Sequence, residues 1–238
     1  MRRLIVLLSA VLALAGADAL RANSILLNSG TGTIGGAGAN SNFGYDFTVG
    51  SNAITITALG LWDGPAVNSI GVTTGSVGDG FASEHIVGLW DNSGNLLAKA
   101  VMQIGTGDTL IGEFRYSSTL ILTNPGPLIL SAGGTYVLGA AYLANDPDLL
   151  KEDDGSSQFS VDPAVIGGNI RFSSGGFSFP STVSGSGALV GPNALFIVAS
   201  SGVPDSGNTF GLMLLALGSF FVMRRVLRVP SPKLADRS

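Results

Sequence analysis

The chain has 238 residues, a formal net charge of −4, 35 glycines and no cysteine, with only 12 % charged residues; this leaves too few solvated helix formers for a helical domain and excludes disulfide staples and thiolate metal sites. Between Asn23 and Val203 stand 13 acidic residues against four basic ones, Lys99, Arg115, Lys151 and Arg171. A segment of that sign repels phosphate backbones, so nucleic acid is excluded as a partner.

Arg2 and Arg3 open the chain, followed by an apolar run from Leu4 to Ala15. Ala17-Asp18-Ala19 then fits a small-residue cleavage pattern, with Leu20-Arg21-Ala22 as a second choice. These are the three regions of a secretory signal peptide, so residues 1–22 are expected to be a signal helix that directs export. The apolar run is too short for a stable membrane span. Shortly after it, Gly30-Thr31-Gly32-Thr33-Ile34-Gly35 spells G-x-G-x-x-G. That pattern holds a pyrophosphate only when a helix N-terminus follows. Gly36-Ala37-Gly38-Ala39-Asn40 follows instead, which cannot start a stable helix, and the match is read as accidental.

Residues 23–202 are expected to form one all-β domain, an antiparallel two-sheet β-sandwich. Phe43, Tyr45, Phe47 and Val49 alternate with Gly44, Asp46 and Thr48, which predicts a strand with one aromatic face. Further strands are predicted over Ala53 to Trp62, His85 to Asp91 and Leu96 to Gln103, with Asn92-Ser93-Gly94-Asn95 as a hairpin turn. Gly112 to Tyr116, Leu128 to Leu130 and Thr135 to Leu143 follow, then Gln158 to Val161, Val165 to Phe172 and Leu195 to Ser200. Pro125 and Pro127 bracket a tight bend that no central strand tolerates. Ala144 to Ser157 reads as a long acidic surface loop, and Ser173 to Gly191 as loop or edge strand around Phe177-Ser178-Phe179-Pro180. Gly-Leu-Trp-Asp occurs at 60–63 and again at 88–91, which marks two equivalent strand ends but does not establish a repeat protein.

Three groups of side chains invite a chemical reading. His85 is the only histidine, so Ser-His-Asp catalysis would have to use it, with Asp79 or Glu84 nearby. No G-x-S-x-G elbow accompanies it, and a zinc site lacks ligands altogether, with no cysteine and one histidine. Asp146, Asp148, Glu152, Asp153 and Asp154 crowd one loop and could together offer oxygens to calcium. Leu150 stands where an EF-hand loop ending in Asp154-Gly155 needs its first aspartate, so a solvated acidic loop is the competing reading. Trp62 and Trp90 would stack on sugar rings if exposed and would be core if buried.

The C-terminus runs from a polar pentapeptide, Val203-Pro204-Asp205-Ser206-Gly207, through an apolar stretch from Phe210 to Met223, to Arg224, Arg225 and Arg228. As a helix the apolar stretch spans roughly 21 Å, short against a hydrocarbon core of about 30 Å unless the flanking arginines snorkel. The arginines should stay cytoplasmic, which leaves the preceding domain outside. A single transmembrane helix is therefore expected within 203–228, with 229–238 as a cytoplasmic tail. This tail resembles the PEP-CTERM sorting signals of Gram-negative bacteria, in the variant written VPDSG-CTERM. The resemblance implies that Val203, Pro204, Asp205, Ser206 and Gly207 are recognised by an exosortase in the inner membrane, and that Arg224 and Arg225 act as the stop signal. It also implies a membrane-anchored intermediate that ends at the cell surface or in an extracellular matrix of exopolysaccharide. The tail continues through Pro230-Ser231-Pro232 to Ser238, longer than is usual for that family. Gly88 to Ala98 and Ser131 to Val137 look like modules of exported bacterial β-sandwich proteins, a resemblance that speaks to fold and little to function. The function expected is that of a non-catalytic surface or biofilm-matrix protein without a required cofactor. The alternative is a carbohydrate-binding module, calcium-assisted in one form, that holds the cell to polysaccharide.

Overall fold

A computed structural model describes residues 23–28, 33–36, 40–68, 72–152, 160–184 and 191–199. The chain divides into two compact units, residues 1–199 and 200–238. The second unit, with Val203–Gly207, Arg224, Arg225 and the expected membrane helix, lies outside the described residues, as does the expected signal helix over 1–22. Among the described residues no helix is long and apolar enough to cross a membrane, and every named element is a strand.

The main strands are β1 (Ser24–Ile25), β2 (Ser41–Val49), β3 (Ile54–Trp62), β4 (His85–Asp91), β5 (Leu96–Met102), β6 (Thr109–Ile111) and β7 (Phe114–Ser117). They continue as β8 (Ile121–Leu122), β9 (Leu128–Leu130), β10 (Thr135–Tyr142), β11 (Val165–Ser174), β12 (Thr182–Ser184) and β13 (Pro192–Val198). A six-stranded sheet runs β1-β13-β3-β7-β6, with β9 also on β3. A seven-stranded sheet runs β8-β5-β4-β10-β2-β11-β12. All of these pairings are antiparallel. The alternation in β2 is realised. Tyr45, Phe47 and Val49 join Leu138 and Ala140 of β10, and Ile54, Ile56, Leu61 and Phe196 of the other sheet, in one buried cluster. Burying aliphatic and aromatic groups at ~25 cal/mol per Å² is the main stabilising term of the two sheets.

The opposite face of β2 has different chemistry. Gly139 of β10 is paired with Gly44 of β2 on one side and Gly88 of β4 on the other, so three glycines stand in register across three central strands. They leave a shallow trench on the outer face of the seven-stranded sheet. Trp90 lies in it, because a Cβ at Gly88 or Gly139 would press on its ring. The Phe-Ser-Phe-Pro segment closes the trench from above. Phe177 and Phe179 pack at 5.2 and 6.3 Å from Trp90, and Pro180 sits over Gly139. Asn42 ties this strap down by donating its side-chain amide to the Ser178 carbonyl. The stretch expected to be loop or edge strand is thus both, a strap over 175–181 followed by the edge strand β12.

Two turns show how polar residues fix strand ends. The Asp91 carboxylate accepts from the Ser93 and Asn95 backbone N–H groups and from the Asn95 side chain, at 2.9, 2.9 and 2.8 Å. With Gly94 at φ +90°, this closes the expected β4–β5 hairpin, and the Asn95 side-chain bond holds Asp91 below the usual carboxylate range. On β11 the register shifts between Gly167 and Ile170. Asp46 occupies that bulge, accepting from the Asn169 N–H and Arg171 Nε at 2.7 Å each. A Cβ at Gly168 would collide with the Asp46 carboxylate, so the bulge requires glycine.

One expectation needs correction. Ala144 to Ser157 is not a loop throughout: Leu149–Glu152 is a strand that pairs with Thr33–Gly36. Leu149 and Leu150 are buried, and their apolar pair outweighs the acidic composition around it. The same pairing accounts for part of the G-x-G-x-x-G segment, whose residues Thr33–Gly36 form a strand and start no helix.

Candidate functional site

The sequence separates His85 from the acidic residues after Tyr142, and the fold brings them together. β4 and β10 are neighbours, with Ile86 opposite Ala141, so the start of β4 lies beside the end of β10. Beyond Tyr142 the chain reverses over Leu143–Asp148. Asn145 adopts φ +60°, a conformation that asparagine tolerates better than most residues. The Asp146 N–H donates to the Leu143 carbonyl at 3.2 Å. The Asp146 carboxylate accepts from the Leu143 and Asp148 N–H groups at 3.2 and 3.1 Å. This turn directs both aspartates inward, toward His85.

The result is a buried polar cluster of Ser83, His85, Asp146 and Asp148. His85 is 1 % exposed, and the ligand-capable atoms of His85, Asp146 and Asp148 lie within 4.8 Å of one another. His85 Nε2 is 2.9 Å from Asp148 Oδ2. His85 Nδ1 faces the Ala141 carbonyl at 3.2 Å and Asp146 Oδ2 at 3.6 Å. Ser83 donates its hydroxyl to Asp146 Oδ1 at 2.7 Å, and the same oxygen is 3.1 Å from Asp148 Oδ2 and 3.3 Å from His85 Nε2. The Ala82 and Ser83 N–H groups also donate to Asp148, at 2.9 to 3.0 Å. The aromatic rings of Phe81 and Tyr142 flank the imidazole at 5.3 and 5.0 Å.

Both ring nitrogens face acceptors, which favours the doubly protonated imidazolium. Burial opposes that charge, but the hydrogen bond to Asp148 and the charges of Asp146 and Asp148 outweigh it and raise the His85 pKa above its ordinary value. Burial likewise opposes the charge on Asp148, and the His85 bond with the Ala82 and Ser83 amides overcomes it, lowering its pKa. In a Ser-His-Asp relay the serine and the carboxylate occupy opposite ring nitrogens. Here Ser83 and Asp148 both approach Nε2, Asp146 stands 3.6 Å from Nδ1, and Ser83 donates its hydroxyl to Asp146.

The expected calcium set therefore divides. Asp146 and Asp148 turn inward to His85, and the Glu152 side chain, Asp153 and Asp154 lie outside the described residues. Nor do the tryptophans offer free faces: Trp62 is 2 % and Trp90 3 % exposed. Trp62 belongs to the shared core and donates Nε1–H to Glu113 at 3.1 Å, with Lys151 on the same carboxylate at 2.9 Å. Trp90 is held under the Phe177–Pro180 strap. Sugar stacking on either ring is corrected accordingly.

The aspartate after the first Gly-Leu-Trp-Asp copy makes a second buried network. Asp63 pairs with Arg115 Nε at 2.5 Å, both side chains being nearly inaccessible. Arg115 also donates to the carbonyls of Gly78 and Asp108 at 2.7 and 3.0 Å, and Asp63 accepts from the Gly80 N–H at 3.1 Å. Burial raises the Asp63 pKa in spite of the arginine. The two copies therefore differ in role: Asp63 is interior and paired, whereas Asp91 caps an exposed turn.

Sequence reasoning names every member of the buried cluster except Ser83, and places them in separate groups. The signal that joins them is the pairing of β4 with β10, which periodicity does not report. In comparisons with known proteins, no family model matches the chain, and neither a curated protein nor a solved structure is significantly similar to it.

Proposed function

We propose that this chain is an exported, non-catalytic surface or extracellular-matrix protein, a two-sheet β-sandwich handed to an exosortase by its C-terminal tail. The observation that carries the reading is the order of three features in the last part of the sequence: Val203–Gly207, the apolar stretch from Phe210 to Met223, and Arg224-Arg225. A pentapeptide that breaks regular structure, next to a short span with its positive charges on one side, stands at the outer membrane face within reach of a processing enzyme. The N-terminal export signal orients the chain the same way. The sandwich is supported by two antiparallel sheets that share one buried cluster. The non-catalytic reading is supported by the way the buried charges of Asp63, Arg115, His85, Asp146 and Asp148 are directed at one another. The carbohydrate-binding alternative loses its aromatic platforms to the burial of Trp62 and Trp90.

Deleting residues 203–228 tests the sorting role. The truncated protein is expected to be exported at normal yield but to leave the surface fraction for the soluble exported pool. A truncated protein that reaches the surface fraction as efficiently as the intact chain would show that the tail sorts nothing.

A further inference from the structure

We propose that Ser83, His85, Asp146 and Asp148 form a binding site for one small divalent transition ion, with zinc as the best-fitting species. The site is independent of the sorting tail, and it gathers one imidazole, two carboxylates and one hydroxyl within contact distance. Ser83 Oγ, His85 Nε2, Asp146 Oδ1 and Asp148 Oδ2 converge through contacts of 2.7, 2.9, 3.1 and 3.3 Å. A serine hydroxyl and a protonated Nε2 supply two hydrogens between them, and ionised carboxylates supply none. These serve the 2.7 and 2.9 Å contacts and leave the 3.1 Å approach of Ser83 Oγ to Asp148 Oδ2 without a hydrogen. A cation among these atoms removes the shortfall.

Charge points the same way. Two buried carboxylates meet one imidazolium, and among the described residues His85 is the only ion-pair partner of either. One negative charge is left over among three buried side chains, which is costly. A divalent ion that replaces the imidazolium proton makes the site neutral, with His85 as a neutral nitrogen ligand.

The spacing selects the ion. Ligand bonds of about 2.1 Å place neighbouring ligand atoms about 3.0 Å apart in an octahedron and about 3.4 Å in a tetrahedron. Calcium bonds of about 2.3–2.6 Å would need about 3.3–3.7 Å. The four contacts, 2.7 to 3.3 Å, lie nearer the octahedral spacing of the shorter bonds than that of calcium, and an imidazole nitrogen favours zinc over magnesium or calcium. The ion would clamp Phe81–His85 to Leu143–Asp148, joining residues 63 apart in a chain that has no cysteine to cross-link.

The test uses the full-length chain, purified without a histidine tag, stripped with a chelator in mild urea and dialysed against zinc chloride. His85 is the only histidine, so its imidazole NMR signals report this site alone. The expected result is one zinc per chain, with those signals shifted on binding and not restored by equimolar calcium. Asp146→Asn should weaken zinc binding by about tenfold or more. Less than one zinc per chain at saturation overturns the proposal. So does stoichiometric zinc that leaves the imidazole signals in place or binds His85→Gln equally well. Should Asp146→Asn fail to fold, the imidazole shift in the unsubstituted chain decides by itself.

Discussion

Replacing Arg115 with alanine is expected to destabilise the β domain by about 3–5 kcal/mol, the usual effect of removing one partner from a buried ion pair. The guanidinium is 4 % and the Asp63 side chain 0 % exposed, so no solvent takes over the abandoned carboxylate. The substitution also orphans the Gly78 and Asp108 carbonyls, which fix two loops at the end of β3 and β7. Urea unfolding monitored by tryptophan fluorescence measures the change, since Trp62 is the immediate neighbour of Asp63. Replacing both members, Asp63→Asn with Arg115→Met, should be milder than the sum of the single changes, because no uncompensated charge remains. A loss below about 1 kcal/mol for Arg115→Ala would place the pair in the range of exposed ion pairs and contradict its burial.

Gly44→Ala is the second large effect. A Cβ at this position would collide with the Leu138 carbonyl and crowd Gly139 of the neighbouring strand. β2 and β10 are central strands of the seven-stranded sheet, so the clash can be relieved only by separating them. The expected loss is at or above the ~3 kcal/mol end of overpacking effects, and the variant should be recovered mainly as aggregate. A Gly44→Ala protein with an unchanged urea midpoint would mean that Gly44 does not lie opposite Gly139.

Much of the fold is legible in the sequence because its strands carry period-two patterns. His85–Asp91 and Leu128–Leu130 are bounded where the alternation and the turn residues place them, and the Asn92–Asn95 turn follows from glycine and asparagine chemistry alone. Leu149–Glu152 escapes such a reading because its four residues carry no alternation and lie among acidic neighbours. Thr109–Ile111 escapes it for a related reason, being a short edge strand with two exposed positions. The glycine row is visible in the sequence only as three isolated glycines. Their common purpose emerges when register aligns Gly44, Gly139 and Gly88 across three strands, with Trp90 over Gly88 and Gly139. The buried cluster follows the same logic. His85 and Asp148 each have a bland local context, and their contact depends on which strand lies beside which. Trp62 and Trp90 illustrate the reverse, since their type suggests a binding platform and their surroundings make them interior.

Processing at both ends is the central functional claim, and intact mass spectrometry of the protein recovered from the cell exterior tests it most directly. The expected species is lighter than the 24.1 kDa full chain, lacking the residues before Leu20 or Asn23 and those beyond the Val203–Gly207 pentapeptide. A 24.1 kDa species with both ends intact, found in the cytosol, would contradict it.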